Sequence, residues 1–420
     1  MADKHSLLVG LDLGEQITQL SCFDHKLFEP VPVGREKNAG EEREYEIPTA
    51  LVAIPSRGEW RYVDGEEIPP QGVLIRDILQ HVREEELFTV EGYTFQSKDI
   101  LKRFLVKILS LLKEYYPDET IKRLVITIPW KHPVLQDVLR EICEDLGIGH
   151  DRLVIQNHKQ SYMYYAVSQP KELWLNNVGM FEFTREHLVY YQINIDRRTV
   201  PWIIGVNQKE LEDQIDFSMI DDEEVDISYA FVNLAETVLH KKMVTTLYVT
   251  GEAFEYPWAD EALKQLCGGR RVFRGQNIYT KGACYAAREF TEEAKLEQCM
   301  FLDEDMITST ISIRTYHEAE MQDVVLAKAG TFWDDIDASI DVIPDQEMEI
   351  QLTAQDVLRH ETTAHMLSLS GFSDRENKMT RFTIRIRFAD AQTCIITLKD
   401  NGFGEFYPSS HRIWERSIKL

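Results

Sequence analysis

The chain has no long apolar run. No stretch of its 420 residues approaches the roughly 20 consecutive apolar residues that a membrane-spanning helix needs. Cysteine is sparse, and no two cysteines form a CxxC pair. Cys22, Cys143, Cys267, Cys284, Cys299 and Cys394 lie scattered, which argues against a disulfide framework and for free thiols in a reducing cytoplasm. Basic residues are outnumbered, 46 against 71 acidic, for a formal net charge of −25. That balance argues against nucleic acid, whose affinity rests on Lys and Arg contacts to phosphate. It also argues against anionic membrane surfaces. The start, Met1-Ala2-Asp3-Lys4-His5 and then an apolar run broken by Asp12, lacks the apolar core and small-residue cleavage site of a signal peptide. Low-complexity segments and short-period repeats are missing as well.

What remains is a folded composition, 44% apolar and 10% aromatic, long enough for two or three domains with substantial cores. Leu7 to Gly14 reads as a strand ending in a turn, with Ile17 to Phe23 as its return. Arg35 to Tyr45, charged and containing Gly40, reads as a surface loop. Apolar residues at Ile100, Leu101, Phe104, Leu105, Ile108 and Leu111 predict an amphipathic helix over 99–115. Leu124 to Pro129 reads as a buried strand, Val134 to Leu146 as a helix closed by Gly147, and Leu153 to Ile155 as another strand. Gln160 to Ala166 then reads as a helix. Strands over 178–183, 187–195 and 246–251 alternate with helices over 229–241, 260–266 and 280–290, which makes an α/β core. From Met306 the pattern changes to alternating apolar and polar residues, as in Thr308 to Ile313, Met348 to Leu352, Arg381 to Phe388 and Thr393 to Leu398. That pattern predicts an antiparallel sandwich.

An apolar strand, Asp-x-Gly and a return strand form a phosphate-gripping hairpin, whose backbone N–H groups face phosphates while the aspartate organises a metal's water shell. Leu11-Asp12-Leu13-Gly14 fits that pattern. Further matches follow in order: Glu46 to Ala53; Val125-Ile126-Thr127-Ile128-Pro129-Trp130 with its following helix; Val178 to Glu182; Leu247 to Gly251; and Lys281-Gly282-Ala283-Cys284-Tyr285-Ala286. In this order the chain resembles the seventy-kilodalton heat-shock chaperones of the actin-like ATPase superfamily over nearly its whole length. The resemblance implies a two-lobed α/β actin-like ATPase fold with ribonuclease H-like lobes, one subdomain reduced, followed by an antiparallel β-sandwich. Residues 1–170 would be the first lobe, 171–291 a reduced second lobe, 292–305 a linker, 306–410 the sandwich and 411–420 a tail. The implied cofactor is ATP or ADP with Mg²⁺, in a vestigial cleft formed by Asp12, Gly14, Glu182, Thr184, Arg185 and Gly251.

The departures from the family fall on nucleotide chemistry. Glu15 and Gln16 stand where small hydroxyl residues are expected. A glutamate aimed at a polyanion costs on the order of several kcal/mol at an effective dielectric near 20. Thr184, Arg185 and Glu186 replace the glycines that let phosphate approach bare backbone. Asn157-His158-Lys159-Gln160-Ser161 replaces a carboxylate, a proline and small residues. Bulky Tyr162, Met163 and Tyr164 are expected to impede close packing of the two connecting helices. Trp258, beside Pro257, would cover the vacated adenine region.

Plainer readings exist for the same residues. Asp12 can be a turn aspartate, Glu182 a strand-end carboxylate, and Arg185 part of a solvated turn. His360-Glu361-Thr362-Thr363-Ala364-His365 spaces its histidines by five, which on a helix separates them by about 140° and defeats a shared zinc. Asp400-Asn401-Gly402-Phe403-Gly404 reads as a hairpin turn. The acidic run Asp221 to Asp226 reads as a solvated loop or as charge at a helix N-terminus. No catalytic residue and no metal site is assigned. The sequence therefore reads as a cytoplasmic, chaperone-like interaction protein with a degenerate, non-hydrolysing nucleotide site. It would bind a polypeptide partner through the sandwich, and neither nucleic acid nor membrane. The alternatives are a weak Mg²⁺-dependent ATPase or ATP-switch chaperone, in which Asp12, Glu182 and Arg185 rebuild the phosphate site, and an actin-like filament protein.

Overall fold

A computed structural model describes residues 6–37, 42–63, 68, 72–90, 92–222, 224–317, 320–345, 349–368 and 375–420. The chain divides into two compact units, Met1–Cys299 and Met300–Leu420.

The first unit contains one folding pattern twice. Strand β1 (Ser6–Leu13) is buried along nearly its whole length, as expected of a central strand covered on both faces. It pairs antiparallel with β2 (Ile17–Asp24), which pairs antiparallel with β3 (Glu29–Val33). After helices α1 (Ile78–Arg83) and α2 (Ser97–Tyr115), strand β4 (Thr120–Ile128) returns parallel to β1. Helix α3 (Pro133–Asp145) then leads to β5 (Leu153–Asn157), parallel to β4. The main path of the sheet is β5-β4-β1-β2-β3. Helix α4 (His158–Ser168) follows. The pattern then repeats. A meander of β6 (Asn177–Phe183), β7 (Leu188–Asp196) and β8 (Trp202–Glu210) leads through α5 (Ile227–Leu239) to β9 (Val244–Thr250), parallel to β6. Helix α6 (Trp258–Leu266) leads to β10 (Arg271–Arg274), parallel to β9, and α7 (Ile278–Glu289) closes the unit. Five of the six strands of the second sheet run β10-β9-β6-β7-β8, the same order as the first.

The spacing of α2 places Ile100, Leu101, Phe104, Leu105, Ile108, Leu111 and Leu112 in the core under the first sheet. The last helix of each half packs across to the other sheet. Gly10 of β1 lies so close to α7 that a Cβ there would come within 2.4 Å of the Cys284 nitrogen. Thr280 of α7 donates its hydroxyl to the Gly10 carbonyl at 3.1 Å. In return, α4 sends Tyr162 to the rings of Tyr191 and Tyr248 on the second sheet, at 6.4 and 6.5 Å between centroids. The two helices meet at Gly282, where a Cβ would lie 1.8 Å from the Ser161 carbonyl oxygen. The expected obstruction by Tyr162, Met163 and Tyr164 is corrected here. All three side chains are buried, and it is the Ser161 backbone that meets Gly282. Arg35 to Tyr45 is not simply a loop either: Arg35–Lys37 pairs with Glu42–Glu44, and Gly40 lies outside the described residues. Trp258 packs into the core with Phe183, Phe231 and Phe254.

In the second unit, β11 (Ser309–His317), β12 (Glu320–Ala327), β13 (Asp337–Val342), β14 (Glu349–Asp356), β15 (Glu361–Ser368), β16 (Arg381–Asp390), β17 (Thr393–Gly402) and β18 (Ile413–Lys419) build two antiparallel sheets. Their orders are β12-β11-β14-β15 and β13-β16-β17-β18. Alternate residues such as Ile311, Ile313, Leu352, Ile384, Ile386, Ile396 and Leu398 enclose one core. The supposed tail 411–420 is in fact an edge strand, since Ile413–Lys419 pairs with β17. The supposed linker 292–305 contains a strand, Cys299–Leu302. Asp400 precedes the expected turn, which Phe403 and Tyr407 close. It is fully buried at the end of β17 and held bidentately by Arg375, at 3.0 and 2.9 Å. The Gly402 and Ser410 N–H groups also donate to it, at 2.8 and 2.6 Å. The segment around His365 is a strand, which leaves the two histidines without a helical face to share.

Candidate functional site

Two hairpins in the first unit are built alike. Gly14 donates its N–H to the Ile17 carbonyl at 3.1 Å, and Thr184 donates to His187 at 2.9 Å. Asp12 and Glu182 each lie two residues before those donors, so they hold equivalent places on β1 and β6. Each is less than a tenth exposed, and each is met by a histidine. His158, the first residue of α4, places Nε2 2.8 Å from Asp12 Oδ1. His187 places Nε2 3.3 Å from Glu182 Oε2.

The two acids belong to one network. The His158 ring stacks on Tyr279 of α7, with centroids 3.8 Å apart and planes 10° from parallel. The buried Tyr279 hydroxyl faces Glu182 without completing a well-aligned hydrogen bond. Side chains therefore run continuously from Asp12 on the first sheet, through the N-terminal turns of α4 and α7, to Glu182 and His187 on the second. Side-chain hydrogen bonds hold the residues that open these turns. Asn157 and Gln160 form a reciprocal capping box at the start of α4. Asn277, before α7, adopts a left-handed conformation and accepts from Gln19 Nε2 at 2.7 Å.

The environment sets the charges. Burial pushes Glu182 up, but contact with His187 and the charges of His187 and His158 more than offset it, and its carboxyl ends below the usual range. The Glu182 carboxylate raises His187 above its ordinary value against the pull of burial. Burial also pushes the phenols of Tyr191 and Tyr279 up, reinforced by the Glu182 charge, so both remain protonated donors.

The remaining expected cleft residues have other occupations. Gly14 is required by its own turn, where a Cβ would meet the Ile17 carbonyl oxygen at 2.6 Å. Thr184 uses its hydroxyl to accept from the N–H groups of Glu186 and His187, both at 3.3 Å. Arg185 is 64% exposed, sits 3.0 Å from Glu252 and covers the Phe217 ring, which is the solvated-turn arrangement. Gly251 has a positive φ, and a Cβ there would strike the Phe183 carbonyl oxygen at 2.3 Å, so it serves close packing against the end of β6. Glu15 pairs with Arg83 of α1 at 2.6 Å. The structure thus joins Asp12 and Glu182 and gives Gly14, Thr184, Arg185 and Gly251 roles in turns.

These residues do not fit a triphosphate as they stand. The turn N–H groups of Gly14 and Thr184 are spent on the hairpins themselves, and imidazoles meet both carboxylates where a metal's water shell would need their oxygens. Among the described residues, no group of three or more His, Cys, Asp or Glu side chains is arranged to hold a metal ion. Sequence reasoning did not assign His158, His187, Tyr191 or Tyr279. His158 was the legible one, because it lies in the segment, Asn157 to Tyr162, that stands where the resemblance calls for a carboxylate, a proline and small residues.

A family profile matches residues 35–304, more than half the chain. The chain belongs to the family of unknown function DUF5716, through that family's C-terminal profile. A second domain of unknown function, DUF8552, matches residues 306–420. No curated protein matches the sequence. The DUF5716 stretch contains His158, Glu182, His187 and Tyr279, whereas Asp12 and Gly14 precede it. No helix among the described residues is long and apolar enough to cross a membrane.

Proposed function

We propose that this protein is a non-hydrolysing interaction protein built on the actin-like, heat-shock-chaperone architecture. Two repeats of one strand order, with last helices that exchange sheets, support that architecture. The observation that carries the functional reading is the bridge Asp12–His158–Tyr279–Glu182–His187. Side chains from both halves occupy the ground between the hairpins where phosphates and their metal would lie. A locked cleft suits a scaffold more than a nucleotide-driven switch. The partner would be a polypeptide that adds a strand to an edge of the second unit. The edge β12 supports this, because Met321 and Val325 on it and Tyr316 beside it are exposed. Cysteines that remain unpaired in the fold support a cytoplasmic setting.

Calorimetry and thermal unfolding with Mg²⁺-ATP and Mg²⁺-ADP test this reading. A ligand present at about a hundred times its Kd stabilises by about 2.7 kcal/mol, which is readily measured. The expected outcome is no saturable heat and no shift in Tm. Saturable stabilisation that Asp12→Ala abolishes would overturn the reading in favour of a working nucleotide site.

A further inference from the structure

At the opposite edge of the second sheet lies a cleft of about 400 Å³ that plays no part in the network above. Thr246 and Arg271, register partners at the start of β9 and β10, both line it, together with Arg270, Asn176 and Gly269. Thr250, at the other end of β9, is the register partner of Glu182. Four residues of strand, about 13 Å at about 3.3 Å each, therefore separate the two regions.

The cleft concentrates unused binding capacity. Arg271 donates Nη1 to a backbone carbonyl, that of Glu172, at 3.2 Å. Among the described residues, neither Arg270 nor Arg271 has a carboxylate at ion-pair distance, although the chain carries 71 acidic residues. Glu172 is the one acid among the lining residues. Open space fronts the backbone at Gly269, where a Cβ would meet nothing within 4 Å. Thr246 is wholly buried, and its hydroxyl has no hydrogen-bond partner. A buried hydroxyl left without a partner is costly.

We propose that this cleft binds a small molecule through a phosphate group, with Arg270 and Arg271 as the charged contacts and Thr246 as a hydroxyl donor beneath them. Two guanidinium groups match the two negative charges of a phosphate dianion, and their planar forks match its oxygens. The cleft is independent of the proposed interaction function.

The test is calorimetric titration of the full chain with inorganic pyrophosphate at constant ionic strength. One saturable site within the millimolar range is expected. Arg270→Ala and Arg271→Ala should each weaken it about tenfold or more, the loss expected for a charge-assisted hydrogen bond. Thr246→Val, which keeps the side-chain shape, should weaken it less. His158→Ala should leave it unchanged. Either arginine change lies near the surface and leaves the core intact, so these variants report binding and not folding. Absence of saturable heat overturns the proposal. So does an affinity that survives both arginine changes, or one lost with His158→Ala and kept in the arginine variants.

Discussion

Glu182 shows how one contact can reverse the effect of burial. Alone in the interior its carboxyl would be pushed up; His187 and His158 bring it below its ordinary 4.5, while His187 rises above its ordinary 6.5. The stabilisation due to the raised His187 is complete below about pH 6.5 and is lost as pH rises through its folded pKa. That due to the lowered Glu182 is complete above about pH 4.5 and is lost as pH falls through its folded pKa. The pair therefore stabilises most between those two values. His187→Ala should lower Tm more at pH 6 than at pH 9, as differential scanning calorimetry at the two pH values will show. An equal loss at both would mean that the ion pair contributes nothing. In the second unit, Asp400 is held well below the usual carboxylate range. Burial pushes it up, but Arg375 and the donors from Ser410 and Gly402 prevail. Asp400→Asn removes the buried negative charge that faces Arg375 and should cost about 3–5 kcal/mol, the usual loss when one member of a buried pair is removed. Urea unfolding should register it as a fall in midpoint with an unchanged m-value.

Among the elements, the crossing of α4 and α7 sets the spacing of the two halves of the first unit. It depends on two glycines that let backbones touch, Gly10 against α7 and Gly282 against α4. Gly282→Ala puts a methyl into the Ser161 carbonyl, where only backbone movement can make room. Overpacking costs about 1–3 kcal/mol where side chains can yield, so the loss here should reach or exceed the top of that range. Gly269→Ala, in open space and without a positive φ, should change stability by less than about 1 kcal/mol. Denaturant titration of both variants distinguishes a contact-limited crossing from a general intolerance of alanine. The sequence reading placed these helices at 160–166 and 280–290, and singled out the Gly282-Ala283 pair by resemblance. It misjudged the tyrosines of α4, because one helix carries both the crossing face and the face on the second sheet, and composition does not say which residue takes which. Strands β8 and β10 also went unread. Trp202–Glu210 ends in exposed polar residues, and Arg271–Arg274 is four residues long, so neither offers a clear alternating run.

Across the whole molecule, the unit Met300–Leu420 has its own two sheets and its own core. Produced alone, residues 300–420 should show a β-type far-UV circular dichroism spectrum and a cooperative thermal transition. A featureless melt would show that the core needs the remainder of the chain. The change from helix-and-strand alternation to strict two-residue alternation near Met306 was plain in the sequence, because antiparallel strands with one wet face imprint that period. The last strand was not. Ile413–Lys419 carries three charged residues and one buried side chain, as an edge strand can, and so it read as a tail.

Periodicity and composition by themselves determined the α/β-then-β order and the main helices, while a motif and a family resemblance, also read from sequence, drew attention to Asp12 and Glu182. Those features are local, since the side-chain period follows from the backbone geometry of each element. Only the tertiary structure decided what the two carboxylates meet. His158 is 146 positions from Asp12, and Tyr279 lies on a helix that packs across to the opposite sheet. Whether such residues touch is set by the packing of distant elements, which no local pattern encodes.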